Sequence, residues 1–219
     1  MLPTSMERFV RETAPEHDEI QAEMAAQAAA GGFPIIGPAS GAFLRTVAHA
    51  RDAQRIFEFG SGFGYSATWF LDGMGPDGRI VLTEIDADEL EQGREYLQRR
   101  GDADRATFEQ GDAMEIVQGY DDPFDVVLID HQKQEYAAAF ERIRDQLPAG
   151  AVVIADNIMD GPVWYEDLLP YLDGDTAPPA GGPAEGIVSY LETVRSRADC
   201  HTHVLPIGKG LAVTTITAD

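Results

Sequence analysis

Two acidic endings dominate the chemistry open to this chain. In FDVVLIDHQKQEY (124–136) an apolar run stops at Asp130, and His131 and Lys133 follow at once. In AVVIADN (151–157) a second such run stops at Asp156-Asn157. If the two runs are neighbouring strands, two carboxylates and an amide oxygen converge. That hard-oxygen set suits Mg2+ or Ca2+, with other positions left to water or substrate. Without a cation, paired carboxylates repel and one takes up a proton. Beside a cation the Lys133 ammonium is disfavoured, which makes Lys133 a candidate general base. The structural alternative is an Asp156 helix cap and an Asn157 turn. Lys133 and Lys209 are the only lysines in the chain.

A glycine-rich turn supplies the second constellation. FEFGSGFGYSA (57–67) places Gly60, Gly62 and Gly64 directly after a strand-like run. Glycines there let the backbone turn tightly and approach a ligand. Glu84 ends the next strand-like run, where a carboxylate can accept from both hydroxyls of a ribose. Glu58 beside the loop suits an ammonium group. Asp112, in QGDAMEI, suits an adenine amino group or, equally, a helix N-cap. No basic residue lies in the loop to balance phosphate, so the implied ligand is a nucleoside carrying an amino acid.

The elements that must position these residues alternate. Strand-like runs at 55–59, 79–85, 106–110, 124–130 and 151–157 are separated by helical periodicity at 65–71, 88–99, 113–117 and 135–146. That order predicts βαβ crossovers and a parallel sheet covered on both faces. HTHVLPIGKGLAVTTI (201–216) instead reads as a closing antiparallel hairpin around Gly208-Lys209-Gly210. Ahead of the sheet, 5–30 reads as one long helix ending at Gly31-Gly32 and 39–51 as a second. Residues 172–186 read as a long Pro/Gly loop, a candidate lid. The whole chain, 1–219, reads as one domain, with a helical cap over 1–50 and an α/β core over 51–219.

Composition narrows the class. The 219 residues carry 38 acids against 16 Lys and Arg, a formal charge of −22. Such a surface repels nucleic-acid phosphate and anionic lipid. The acids are dispersed among apolar segments, unlike a disordered acidic tail. Dispersed acidity with so few lysines resembles the proteins of salt-loving organisms. There the Debye length is about 3 Å at molar salt and self-repulsion is screened. No apolar run is long enough to span a membrane. The N-terminal stretch lacks signal-peptide order and Cys200 is the single cysteine, which points to the cytoplasm. Met6, Phe9, Val10, Ile20 and Met24 suggest an apolar stripe on the first helix and a homodimer.

Taken together, the chain resembles the cation-dependent O-methyltransferases, the family of catechol and caffeoyl-CoA O-methyltransferases. FEFGSGFGYSA is similar to that family's Glu-x-Gly-x-x-x-Gly-Tyr-Ser loop, LIDHQKQEY to its Asp-His-x-Lys-x-x-Tyr stretch, and VVIADNI to its Asp-Asn metal pair. The resemblance implies a Rossmann-like class I methyltransferase fold with a seven-stranded, mostly parallel sheet ending in the hairpin. It implies that Asp130, Asp156 and Asn157 hold Mg2+ or another divalent cation such as Ca2+ or Mn2+. Lys133 would take the substrate proton, with Asp130 beside it. S-adenosyl-L-methionine would be held by Glu58, Gly60, Gly62, Gly64 and Ser66 at its methionine end and by Glu84 at the ribose. Ile36, Ile85, Asp112, Ala113, Asp130 and His131 would complete the cofactor site. VSYLETV offers Glu192, with Lys133 and Asn157, for the second hydroxyl of a catechol-like acceptor. GGFPIIGPASG, with Phe33, Ile35 and Ile36, departs from the aromatic and proline gates of the catechol branch. Trp164 and Tyr165 are further candidates for the pocket wall. Two other functions remain open: a tRNA wobble-uridine acceptor, as in some family members, and a cofactor-binding protein without activity.

Overall fold

The computed structural model describes residues 4–161 and 165–218. Its centre is a seven-stranded sheet: β1 (Arg55–Phe59), β2 (Arg79–Glu84), β3 (Ala106–Gln110), β4 (Val126–Ile129), β5 (Val152–Ala155), β6 (Cys200–Leu205) and β7 (Leu211–Ile216). The spatial order is β3-β2-β1-β4-β5-β7-β6. Strands β1 to β5 pair in parallel, and β7 inserts antiparallel between β5 and β6. Chain order reverses between β1 and β4, and open α/β sheets bind ligands at such a switch point.

The strands alternate their side chains between two apolar layers. Phe57, Phe59, Val127, Ile129 and Val153 face one layer, and Ile56, Leu82, Val126, Leu128 and Ile154 face the other. The first layer is completed by α6 (Ala113–Ile116), α7 (Tyr136–Ile143), α8 (Tyr165–Leu172) and α9 (Gly182–Ser196). The second is completed by α2 (Glu19–Gly31), α3 (Gly37–Ala50), α4 (Tyr65–Gly73) and α5 (Ala87–Arg100). β1, β4 and β5 are therefore covered on both faces, as their continuous apolar runs require.

Three expectations need correction. The single helix over 5–30 is two helices, α1 (Thr4–Glu12) and α2. Pro15 cannot continue a helix, and Asp18 starts α2 with a capping box. There the Gln21 N–H donates to Asp18 at 2.7 Å, and the Asp18 N–H donates back to Gln21 Oε1 at 3.1 Å. The apolar stripe is split accordingly. Met24 is buried in α2, whereas α1 buries no residue and leaves Met6 and Phe9 exposed. The 172–186 loop is shorter than expected, because α9 already begins at Gly182 with Pro183 in its first turn. The acidic strands also end early, at Ile129 and Ala155, so both acidic endings are loop residues beyond the sheet.

Among the described residues, no helix is long and apolar enough to cross a membrane.

Candidate active site

The glycine turn rests directly on the end of β4. The Asp130 N–H donates to the Phe59 carbonyl at 2.9 Å, and Gly60 has a left-handed φ of 82°. A Cβ on Gly60 would lie 2.7 Å from the Asp130 carbonyl oxygen, so only glycine lets the two loops meet. Gly62 is held from the other side, its N–H donating to Glu84 Oε2 at 2.9 Å. Glu84 Oε1 accepts from the Ile85 and Asp86 N–H groups at 2.8 and 3.1 Å. The carboxylate expected at a ribose thus also fastens the turn. Gly64 begins α4, and Ser66 is buried in its first turn.

Glu58 is fully buried beside this turn, and neither carboxylate oxygen has a hydrogen-bond partner. Burial pushes its carboxyl up to about 8; nearby Ser66 tempers the shift and the charge of Asp130 adds to it. A buried acid without a donor calls for a cationic partner. Asp112 is the N-cap of α6, accepting from the Met114 N–H at 2.8 Å through Oδ1. Ala113 is buried behind it, and Ile85 is an apolar side chain exposed at the rim. The His131 ring stacks on Tyr136 (5.5 Å, 13°) and packs on Phe59. Burial, followed by the charge of Lys133, lowers its pKa to about 4 against the opposing charge of Asp112. His131 is therefore a neutral ring with neither nitrogen hydrogen-bonded.

The two acidic endings do converge. Lys133, itself buried, donates to Asp130 Oδ1 at 2.9 Å and to Asn157 Oδ1 at 2.8 Å, and also reaches the Tyr136 hydroxyl. That hydroxyl donates to the Asp156 carbonyl at 3.2 Å, so Tyr136, a core ring, brings a polar end into the cluster. Asn157 adopts a left-handed φ of 57°, a conformation asparagine tolerates better than most residues. Asp156 is buried, and its Oδ1 has no hydrogen-bond partner. Burial, then the charge of Asp130, raises its carboxyl to about 7. Burial raises Asp130 as well, opposed chiefly by Lys133. A partly buried carboxylate and an amide oxygen thus hold one ammonium, and the buried carboxyl of Asp156 adjoins them with an oxygen to spare. The donor chemistry fits a hard divalent cation. Among the described residues no cluster of three or more His, Cys, Asp or Glu is placed to hold a metal.

A pocket of about 350 Å3 opens where the chain continues past Asn157, lined by Ile36, Met159, Asp160, Tyr165 and Lys209, with Glu7, Val10 and Arg11 of α1 on its other side; the cluster residues themselves do not line it. Ile36 also lines the small crevice next to Ser61 and Ser66, so it separates the pocket from the glycine turn. Trp164 lies outside the described residues.

Glu192 is not brought to the cluster. Gly186 and Tyr190 mark the inward face of α9: a Cβ on Gly186 would meet the Lys133 carbonyl at 2.2 Å, and Tyr190 packs edge-on against Tyr136. Glu192 is two residues past Tyr190, about 200° around the helix. It is exposed and accepts from the Tyr171 hydroxyl in a groove between α8 and α9. Lys209, by contrast, was missed as a site residue. Its charge reaches both Asp130 and Asp156, and its carbonyl accepts from the Met159 and Asp160 N–H groups at 2.9 and 3.0 Å. The only sequence signal was the rarity of lysine.

This strand order, with the reversed β7 and a ligand face at the switch point, defines a class I methyltransferase fold. The O-methyltransferase family model matches residues 11–169, and the chain belongs to that family. It is similar to the catechol O-methyltransferase of Mycobacterium tuberculosis, with 33% identity over 162 residues, covering 73% of this chain and 74% of that one. It is also similar to caffeoyl-CoA O-methyltransferase 1 of Eucalyptus globulus, with 25% identity over 186 residues, 79% of this chain and 71% of that one. Among solved structures, the O-methyltransferase of Bacillus cereus in complex with SAH superposes with a TM-score of 0.82 at 24% identity, over 98% of both chains. TomG of Streptomyces achromogenes, in complex with SAM, gives 0.83 at 24% identity over 98% and 96%.

Proposed function

We propose that the protein is a divalent-cation-dependent O-methyltransferase acting on a small acceptor with vicinal oxygens, of catechol type. The observation that carries this reading is the meeting of the two acidic endings: Lys133 donates to both Asp130 and Asn157, and the adjoining Asp156 is buried with one carboxylate oxygen unpartnered. In this reading Glu58 holds the ammonium of S-adenosylmethionine, and the glycine turn lets its methionine part approach the backbone. Glu84 accepts from the ribose, and Ile36, Ile85, Asp112, Ala113 and His131 enclose the rest of the nucleoside. Bound S-adenosylmethionine supplies a sulfonium methyl group. A cation such as Mg2+, Ca2+ or Mn2+, held by Asp130, Asp156 and Asn157, supplies charge stabilisation for two adjacent acceptor oxygens.

Lys133 then has a defined task. A phenol with a pKa near 10 is mostly protonated at neutral pH, so its proton must be removed for its oxygen to attack. In this reading Lys133, held by Asp130 and Asn157, is the base that takes that proton. The neutral amine can accept the phenol proton while the oxygen–carbon bond forms and the sulfur–carbon bond breaks. Orientation alone supplies about 7–11 kcal/mol when donor and acceptor are held in line. No covalent enzyme intermediate is needed.

We read the exposed Met6 and Phe9 of α1 as support for a homodimer, and the acidic surface as an adaptation to high salt. The test of the function is transfer of labelled methyl from S-adenosylmethionine to catechol and to total RNA, at low and molar KCl, with Mg2+ or excess chelator. Catechol methylation abolished by chelator is expected. Labelling of RNA alone would replace the acceptor, and full activity under chelator would remove the cation.

A further inference from the structure

Lys209 has no role in the reading above, yet its setting calls for a partner. It sits in the β6–β7 turn, and among the described residues it is the only partly buried lysine or arginine without a hydrogen bond or ion pair from its side chain. The other partly buried bases are all paired, in a chain with 38 acids against 16 Lys and Arg. Asp160, on the same pocket wall, turns its Oδ1 to the Gly161 N–H at 2.6 Å and forms no pair with Lys209. The Lys209 backbone is clamped by Met159 and Asp160, two and three residues past Asn157. Its ammonium therefore has donors to spare on a pocket wall that also carries Glu7 and Arg11, and an anionic ligand can accept from them.

In the proposed reaction this pocket, whose Met159 and Asp160 follow directly on Asn157, would receive the methyl acceptor. We propose that Lys209 holds an anionic substituent of the acceptor, a carboxylate in the simplest case, so that the enzyme prefers hydroxylated aromatic acids to neutral catechols. The inference rests on the proposed methyl transfer and adds a substrate class to it. Met159 and Asp160 join the Asn157 loop to the Lys209 backbone along one pocket wall, so a small ring can present hydroxyls toward Asn157 and a carboxylate to Lys209. A pocket of about 350 Å3 suits a single ring. A charge-assisted hydrogen bond of this kind corresponds to about 10- to 100-fold in affinity.

The experiment compares kcat/KM for 3,4-dihydroxybenzoate and catechol in the wild type, Lys209→Met and Lys209→Arg, with S-adenosylmethionine and Mg2+ present. A second readout is calorimetric binding of the same two compounds to the enzyme loaded with S-adenosylhomocysteine. The expected result is a wild-type preference for the acid that falls about 10- to 100-fold in Lys209→Met and is largely kept in Lys209→Arg. A wild-type enzyme without the preference would overturn the proposal. So would a Lys209→Met loss equal for both compounds, which marks a merely structural lysine. If neither compound is methylated, the functional reading fails, and the Lys209-dependence of binding decides the lysine's role by itself.

Discussion

The ends of β1 and β2 and the ends of β4 and β5 face the same crevice but are built on opposite plans. The first pair uses backbone geometry. Gly60 and Gly62 take left-handed conformations, and the Gly62 N–H is fastened to Glu84. The Ser61, Gly62 and Gly64 N–H groups already have protein partners, whereas the Glu58 carboxyl oxygens have none. The second pair concentrates charge: Asp130, Lys133 and Asp156 crowd together with Asn157, and one carboxylate oxygen has no partner. A region built from satisfied backbone recognises shape. A region where burial forces charges into mutual dependence can move protons and hold cations. Glu58 crosses the divide, a lone buried acid set in the recognition half.

Substitutions on each side sharpen that contrast. The largest effect is expected from Lys133→Ala, which should lower kcat by about 10²- to 10⁴-fold, the usual range for losing a general base. Cofactor affinity, measured by calorimetry, should stay close to wild type because Lys133 is in the reactive half. A comparable loss of cofactor binding would erase the division of labour.

A smaller effect separates Glu58 from its surroundings. Its carboxyl is raised from 4.5 to about 8 in the folded protein. The folded state therefore binds more protons than the unfolded state between those values. The associated stability is fully present below about pH 4.5 and is lost as pH rises through about 8. Chemical denaturation of the ligand-free protein should show stability falling across this window, with Glu58 contributing up to about 1.4 kcal/mol per pH unit. Asp156, raised to about 7, adds a slope of the same sign. Glu58→Gln should remove only the Glu58 share, and an unchanged slope would show that Glu58 is not protonated in the free enzyme.

The two plans were not equally legible in the sequence. Strand order and the glycine turn follow from alternation and from glycines at fixed offsets, which are local properties. The Asp130 and Asp156-Asn157 endings were legible because each apolar run stops abruptly at its acid. Their meeting needed only neighbouring parallel strands. Glu192 was misplaced because which face of α9 turns inward is set by the close packing of Gly186 on the Lys133 backbone, a tertiary contact. The break between α1 and α2 had local signals, Pro15 and the Asp18–Gln21 capping box, overridden by the helical composition around them. Lys209 lies 52 residues beyond Asn157 and reaches the site only because β7 inserts beside β5. No local pattern carries that.

The most direct test of the central claim is equilibrium binding of Mn2+, followed by paramagnetic resonance, in the wild type and in Asp156→Ala. One ion per chain is expected in the wild type, with affinity lowered at least about tenfold in Asp156→Ala while the fold, checked by circular dichroism, is kept. Identical binding curves for the two proteins would show that the β4 and β5 endings do not form a cation site.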